Sequence, residues 1–234
     1  MKYKLEVCCG SIEDALVAQK MKADRIEFNG GLELGGLTPS LGVFKKLRAL
    51  VSLPIMVMIR PHNGMYHYSE LDFEAMKDDA RILLQEGADG IVFGFLTKQG
   101  KIDEDRVKTM VGIAQGKTTV FHKAIDETDD IEETLEALIR CKVDRVLLGG
   151  GLGKIEEHLE ILADLQEKYG HEIELLPGGG VRKDLVLKVI QTTKIHQIHM
   201  TCKRLEINPK TKTIHYVVDE EILKEVQTLL NSII

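Results

Sequence analysis

The sequence predicts a (β/α)8 TIM barrel, a single closed parallel barrel occupying one domain over residues 1–234. Three observations carry this. Eight short apolar runs of strand character alternate strictly with eight stretches of helical apolar spacing. Such alternation demands a parallel sheet, because every helix is a crossover. The 234-residue length is near the ~250 residues typical of the closed barrel. An open doubly wound sheet ranks second, since no G-x-G-x-x-G follows the first strand; no nucleotide cofactor is evident either.

The totals narrow the function classes. Hydrophobic residues at 44% allow a large core, and 31 basic against 37 acidic residues give −6. That balance offers nucleic acid no electrostatic footprint, and no apolar run is long enough for a membrane span. Met1-Lys-Tyr-Lys leads straight into a strand without a signal-peptide core, which predicts a cytoplasmic protein. Cys8, Cys9, Cys141 and Cys202 show no C-x-x-C and no disulfide spacing, in keeping with that compartment.

The first strand covers about residues 5–8, with Leu5 and Val7 on one face and Glu6 and Cys8 on the other. Ser11-Ile-Glu-Asp14 reads as a capping box opening a helix. The second strand, Arg25-Ile-Glu-Phe28, puts Glu27 and Asn29 opposite Ile26 and Phe28. A glycine-rich loop follows, and Ser40 caps a helix carrying Leu41, Phe44 and Leu47. The third strand reads from Ile55 to Arg60, with Met56, Met58 and Arg60 on one face. Ser69 caps a helix with Phe73, Met76 and Leu83, which Gly87 ends before the fourth strand, Ile91 to Phe95. Asp103 caps the next helix. The fifth strand reads from Thr119 to Asp126, where parity groups His122, Ala124 and Asp126. Strands six and seven run into Gly149-Gly-Gly151 and Pro177-Gly-Gly-Gly180, and strand eight spans about residues 197–201. From about residue 205 a further strand, Thr213 to Val218, and a helix capped by Asp219 complete the chain. Lys22-Ala-Asp-Arg-Ile26 and Lys142-Val-Asp-Arg-Val146 form a faint repeat half a barrel apart.

Barrels of this kind fill their interior with branched apolar residues and place their sites at the C-terminal strand ends. Here the inward faces carry Glu6, Glu27, Arg60, His122, Asp126 and His199. A lone inward Glu or His is ordinarily a satisfied structural group; six from five strands point to a site. Glu6, Glu27, His122, Asp126 and His199 are the expected acid–base set. Arg60, with the backbone amides of Gly149, Gly150, Gly178, Gly179 and Gly180, is the expected binding site for a small anion. The glycine runs serve equally as tight βα turns. Cys8 is the soft inward donor, and Cys, Met and His suit Cu(I). The loop with His62, Tyr66, His67 and Tyr68 is a lid or a solvated connection.

The motifs Ala23-Asp-Arg-Ile-Glu27, Gly35-Gly-Leu-Thr-Pro-Ser-Leu-Gly42, Met58-Ile-Arg-Pro61, Tyr68-Ser69, Gly90-Ile-Val-Phe-Gly94, Phe121-His122 with Asp126, and Pro177-Gly-Gly-Gly180 together resemble the CutC family from Glu6 to His199. The resemblance implies a cytoplasmic barrel associated with copper homeostasis and copper-ion binding, self-associating as a homo-oligomer. Many members carry a cysteine where this chain has Asn29. That cysteine and the one matching Cys8 are the usual copper pair, so Cys8 alone remains and weak Cu(I) binding is expected. Many members also read His-Arg-Ala-Phe-Asp where this chain reads His122-Lys-Ala-Ile-Asp126. The alternative is a lyase, isomerase or hydrolase using Glu/His chemistry on a small anionic or sugar-like molecule.

Overall fold

The computed structural model describes residues 3–233. In order it contains β1 (Lys4–Cys9), α1 (Ile12–Lys20), β2 (Arg25–Phe28), α2 (Leu41–Leu50), β3 (Ile55–Met58), α3 (Glu70–Gln85), β4 (Gly90–Phe93) and α4 (Glu104–Ala114). Next come β5 (Thr118–Phe121), α5 (Ile131–Arg140), β6 (Arg145–Leu148), α6 (Leu159–Tyr169), β7 (Glu174–Pro177), α7 (Val186–Thr193) and β8 (Gln197–Met200). A hairpin of β9 (Lys203–Ile207) and β10 (Ile214–Val218) precedes α8 (Glu220–Ser232). The parallel ladder runs β7-β6-β5-β4-β3-β2-β1-β8. Strands β7 and β8 lie together, and the Gln197 side chain donates to the Leu175 carbonyl across them at 2.9 Å. The barrel is thus nearly closed, with one seam held by a side chain rather than a ladder. No helix among the described residues is long and apolar enough to cross a membrane.

Local chemistry sets the element ends. Ser11, Ser40, Ser69, Asp103, Asp130 and Asp219 each accept a backbone N–H from the first turn of their helix, worth about 1 kcal/mol apiece. The full reciprocal box forms at Ser69 and Asp72. At Ser11 only half of it forms, because the Asp14 carboxylate takes Gly10 N–H at 3.2 Å and Val218 N–H at 2.7 Å. The sequence repeat has a physical basis. Lys22 and Lys142 sit at φ 60° and 61°. Two residues on, Asp24 accepts Leu5 N–H at 2.9 Å and Asp144 accepts Thr119 N–H at 2.8 Å. Asp89 does the same for Ile55 at 2.9 Å. Each aspartate before an even strand satisfies the otherwise open N–H near the start of the preceding odd strand.

Two apolar layers result. The larger packs Leu5, Val7, Ile26, Phe28, Ile55 and Val57 outward against the helices. The smaller, inside the barrel, contains Met56, Met58, Val92, Val120, Leu147 and Leu176. The remaining interior, on β8, β1 and β2, is polar: Glu6, Arg25, Glu27, Gln197 and His199 are all buried. The inward methionines are therefore core.

Four expected boundaries change. Strand three ends at Met58, so Arg60 lies beyond the ladder, and strand four ends at Phe93 instead of Phe95. The tail holds a hairpin, not one strand, because residues 203–207 pair antiparallel with 214–218. Strand five ends at Phe121, and residues 123–127 form a 3-10 turn. The His122 ring accepts Ala124 N–H at 3.2 Å. The Asp126 carboxylate accepts the amides of Gly149, Gly150 and Gly151 at 2.9, 3.0 and 3.1 Å. These bonds pull the segment off the ladder, so strand parity does not carry past residue 121.

Asp126→Ala leaves three backbone donors without their acceptor. We expect a loss of about 3 kcal/mol of stability, read as a lower urea midpoint at unchanged slope; an unchanged midpoint contradicts this clamp.

Candidate functional site

A cavity of about 740 Å³ opens at the C-terminal end of the barrel. One wall presents Cys8, Glu27, Asn29 and His199 from β1, β2 and β8; the other presents Arg60, Tyr66, His122 and Lys123, with Gly179 and Gly180 at the rim.

The first wall rests on a buried fork. Glu6, on the third position of β1, is paired on one oxygen with Arg25 Nε and on the other with His199 Nδ1 at 2.7 Å. Arg25 also donates to Gln197 at 2.7 Å. Register puts Glu6 beside both Arg25 and His199, so three adjacent strands deliver these groups to one level. Burial opposes ionisation of Glu6, but the Arg25 guanidinium and the His199 imidazole outweigh it and hold the carboxyl well below its usual range. His199 loses some basicity to burial and regains more from Glu27 and Glu6, ending above 6.5.

Above the fork, Glu27 accepts from Asn29 Nδ2 at 2.9 Å and from the Cys8 thiol at 3.5 Å on one oxygen. Its second oxygen is buried without a partner. Burial raises the Glu27 carboxyl, with His199 opposing and Glu6 reinforcing. Burial and the nearby Glu27 charge also push the Cys8 thiol well up. One donor atom from each of Cys8, Glu27 and His199 falls within 4.8 Å of the others.

The second wall is a donor wall. The His122 ring accepts Ala124 N–H through Nδ1, so the neutral ring carries its proton on Nε2, and Nε2 is buried without a partner. Burial and the Arg60 charge lower His122 to about 3. Gly94 is required there, since a Cβ would sit 2.3 Å from the His122 ring. Tyr66 packs on that ring with centroids 4.7 Å apart and lies 5.1 Å from the Arg60 guanidinium. Arg60 spends its terminal nitrogens on the carbonyls of Leu34, Gly35, Gly36 and Gly64.

Among the expected site residues, Glu27, His122, His199, Arg60, Cys8, Gly179 and Gly180 line the cavity. Glu6 lies one level below, against His199. Asp126 sits behind the strand-six loop, bound to the amides of Gly149 and Gly150 and to Lys123 at 3.0 Å. Those amides already hold an anion, the chain's own. Gly178 N–H donates to Leu148, which leaves Gly179 and Gly180 from that run at the cavity. Sequence reasoning passed over Arg25, although its parity with Glu27 places it inward, and over Lys123, which only the loop geometry brings in; Tyr66, on the loop expected to be a lid or a solvated connection, lines the cavity.

The model of the CutC family matches residues 3–204. A family protein CutC from Treponema denticola is 40% identical over 209 residues, spanning 89% of this chain and 85% of that protein. The human copper homeostasis protein cutC homolog is 35% identical over 201 residues, spanning 86% of this chain and 74% of that protein. A crystal structure of a copper homeostasis protein CutC from Streptococcus agalactiae matches with a TM-score of 0.81 at 29% identity, covering 85% of this chain and 98% of that one.

The first wall carries a pH dependence. Glu6, lowered from 4.5, stabilises the fold above that value and loses its contribution as pH falls. His199, raised above 6.5, contributes fully below that value and loses its contribution as pH rises through its folded pKa. The stability gap between the native chain and His199→Asn should therefore shrink from about pH 6 to about pH 9, measured by urea unfolding. A gap independent of pH contradicts the pairing.

Proposed function

The chain belongs to the CutC family, and from that premise we propose that it acts in copper homeostasis in the cytoplasm, as a homo-oligomer that binds one metal ion in the barrel mouth. Cys8, Glu27 and His199 are the ligands. The observation that carries this reading is the convergence of their three buried donors within 4.8 Å at the edge of a cavity. Two neighbours prepare the set. Glu6 holds His199 Nδ1, leaving Nε2 as the ring's free nitrogen and fixing the ring plane. Asn29 holds one Glu27 oxygen, leaving the other without a partner. Copper homeostasis stands in the names of the human and mouse relatives, which supports the cellular role.

The donor chemistry fits a metal ion but fits Cu(I) only partly. Cu(I) favours sulfur, and the set offers one thiol, one imidazole and one hard carboxylate. The thioethers of Met56 and Met58 belong to the interior apolar cluster with Val92, Val120 and Leu147, and Met58 also lines the cavity.

A second reading, a lyase, isomerase or hydrolase acting on a small anionic molecule, has its own observation. His122 Nε2–H and Glu27 Oε2 are a buried donor and acceptor without partners on opposite walls of one cavity. Arg60, Lys123, Gly179 and Gly180 complete its polar wall.

Metal-free protein exposed to first-row divalent ions and Cu(I), then desalted, should retain one equivalent of metal by elemental analysis. His199→Asn should abolish retention. Glu6→Gln, which removes the orienting carboxylate and also leaves the Arg25 guanidinium without its ion-pair partner, should weaken binding about 10–100-fold in protein shown by circular dichroism to be folded. No retained metal, or equal retention by all three proteins, defeats the metal reading.

A further inference from the structure

Resting on the metal-binding reading, we infer that Asn29 selects the ion: it occupies a position from which a second sulfur would meet both Cys8 and Glu27, and so makes the mouth a Cys/Glu/His site for a borderline divalent ion such as Zn2+ instead of Cu(I).

Contact and burial carry this first. Asn29 is 1% exposed. Its Nδ2 lies 3.4 Å from Cys8 Sγ and 2.9 Å from Glu27 Oε1. Residue 29 therefore touches both prospective ligands, and any donor placed there would join them. The amide cannot serve Cu(I) as a sulfur would, and its N–H groups point at the thiol and the carboxylate. Of the other sulfurs, Met58 packs in the interior apolar cluster and also reaches the cavity wall. Cys202 lines the cavity but falls outside the group of converging donors. Cys9 turns the other way, into the helix-facing core, with its thiol toward the Val7 carbonyl at 3.6 Å.

Charge carries it further. Glu6 and Arg25 are an ion pair and cancel. A bound ion replaces the Cys8 thiol proton and any proton on His199 Nε2, which leave to solvent. The ligand set then holds two negative charges, a thiolate and the Glu27 carboxylate, with neutral imidazole. A divalent ion neutralises this set; a monovalent ion leaves one buried charge uncompensated, which is costly. The arrangement also has the form of a zinc site with an open position: three protein ligands of S, O and N, an imidazole oriented through its other nitrogen by a carboxylate, and free space beside them.

The test titrates metal-free, full-length protein with Zn2+ and Co2+ against a chromophoric competitor, and with Cu(I) against a Cu(I) chelator. The native chain should bind one Zn2+, give a thiolate-to-cobalt charge-transfer band that disappears in Cys8→Ser, and surrender Cu(I) to the chelator. Asn29→Cys should raise Cu(I) affinity on the order of 100-fold or more by adding a second soft ligand. Asn29→Met, which offers a thioether at the same place, should move the preference in the same direction and covers the case of a poorly folding Asn29→Cys. Circular dichroism and melting establish that each variant is folded. A native chain that holds Cu(I) more tightly than Zn2+, or folded Asn29 variants with unchanged Cu(I) affinity, overturns the assignment of ion selection and leaves the metal-binding mouth standing. Failure of the native chain to bind either ion removes both.

Discussion

The buried fork of Glu6 between Arg25 and His199 organises the rest of the mouth. An ionised carboxylate at 1% exposure is tolerable only with both oxygens engaged, and neighbouring strands supply one partner each. Removing Glu6 or Arg25 strands the other's charge in the interior, at a cost of about 3–5 kcal/mol. The fork therefore joins β8, β1 and β2 through side chains in addition to the ladder. It also turns His199 so that one nitrogen is committed. Site and fold share this interaction: the same carboxylate that the interior must satisfy orients the imidazole that faces the cavity.

The interior is divided as a consequence. On the β3–β7 side it is filled by Met56, Met58, Val92, Val120, Leu147 and Leu176, as a packed barrel requires. On the β8–β1–β2 side buried polar groups replace that filling. Above this division the cavity has an acceptor wall, Cys8 and Glu27, and a donor wall, His122 and Arg60. The glycine loop after β6 does not extend the donor wall, because Asp126 consumes its amides. That carboxylate serves the loop as a built-in anion.

The barrel was legible because its signals are local and repeated. Apolar period recurs in every unit, serine or aspartate caps open six of the eight α-helices, and parity on β1, β2 and β8 turned Cys8, Glu27 and His199 inward, where they line the cavity. The unread parts depend on partners distant in sequence. Asp126 meets the Gly149 amide 23 residues away, and that contact, invisible to periodicity, ends β5 early. The strand Lys203–Ile207 is exposed throughout, so it lacks the buried alternation by which strands are recognised. Arg25 was legible in principle, as it shares a face with Glu27, but a charge at a strand entry reads as solvent-facing until Glu6 is seen beside it.

The proposed metal site requires Cys8, Glu27 and His199 to act as one ligand set. Anomalous diffraction from a crystal equilibrated with Zn2+, collected on both sides of the zinc absorption edge, addresses it most directly. A single strong peak is expected in the mouth, bonded to Cys8 Sγ, a Glu27 oxygen and His199 Nε2, with Glu6 still on Nδ1. A mouth without anomalous density, or an ion held by other residues while Cys8 keeps its contact with Glu27, would contradict it.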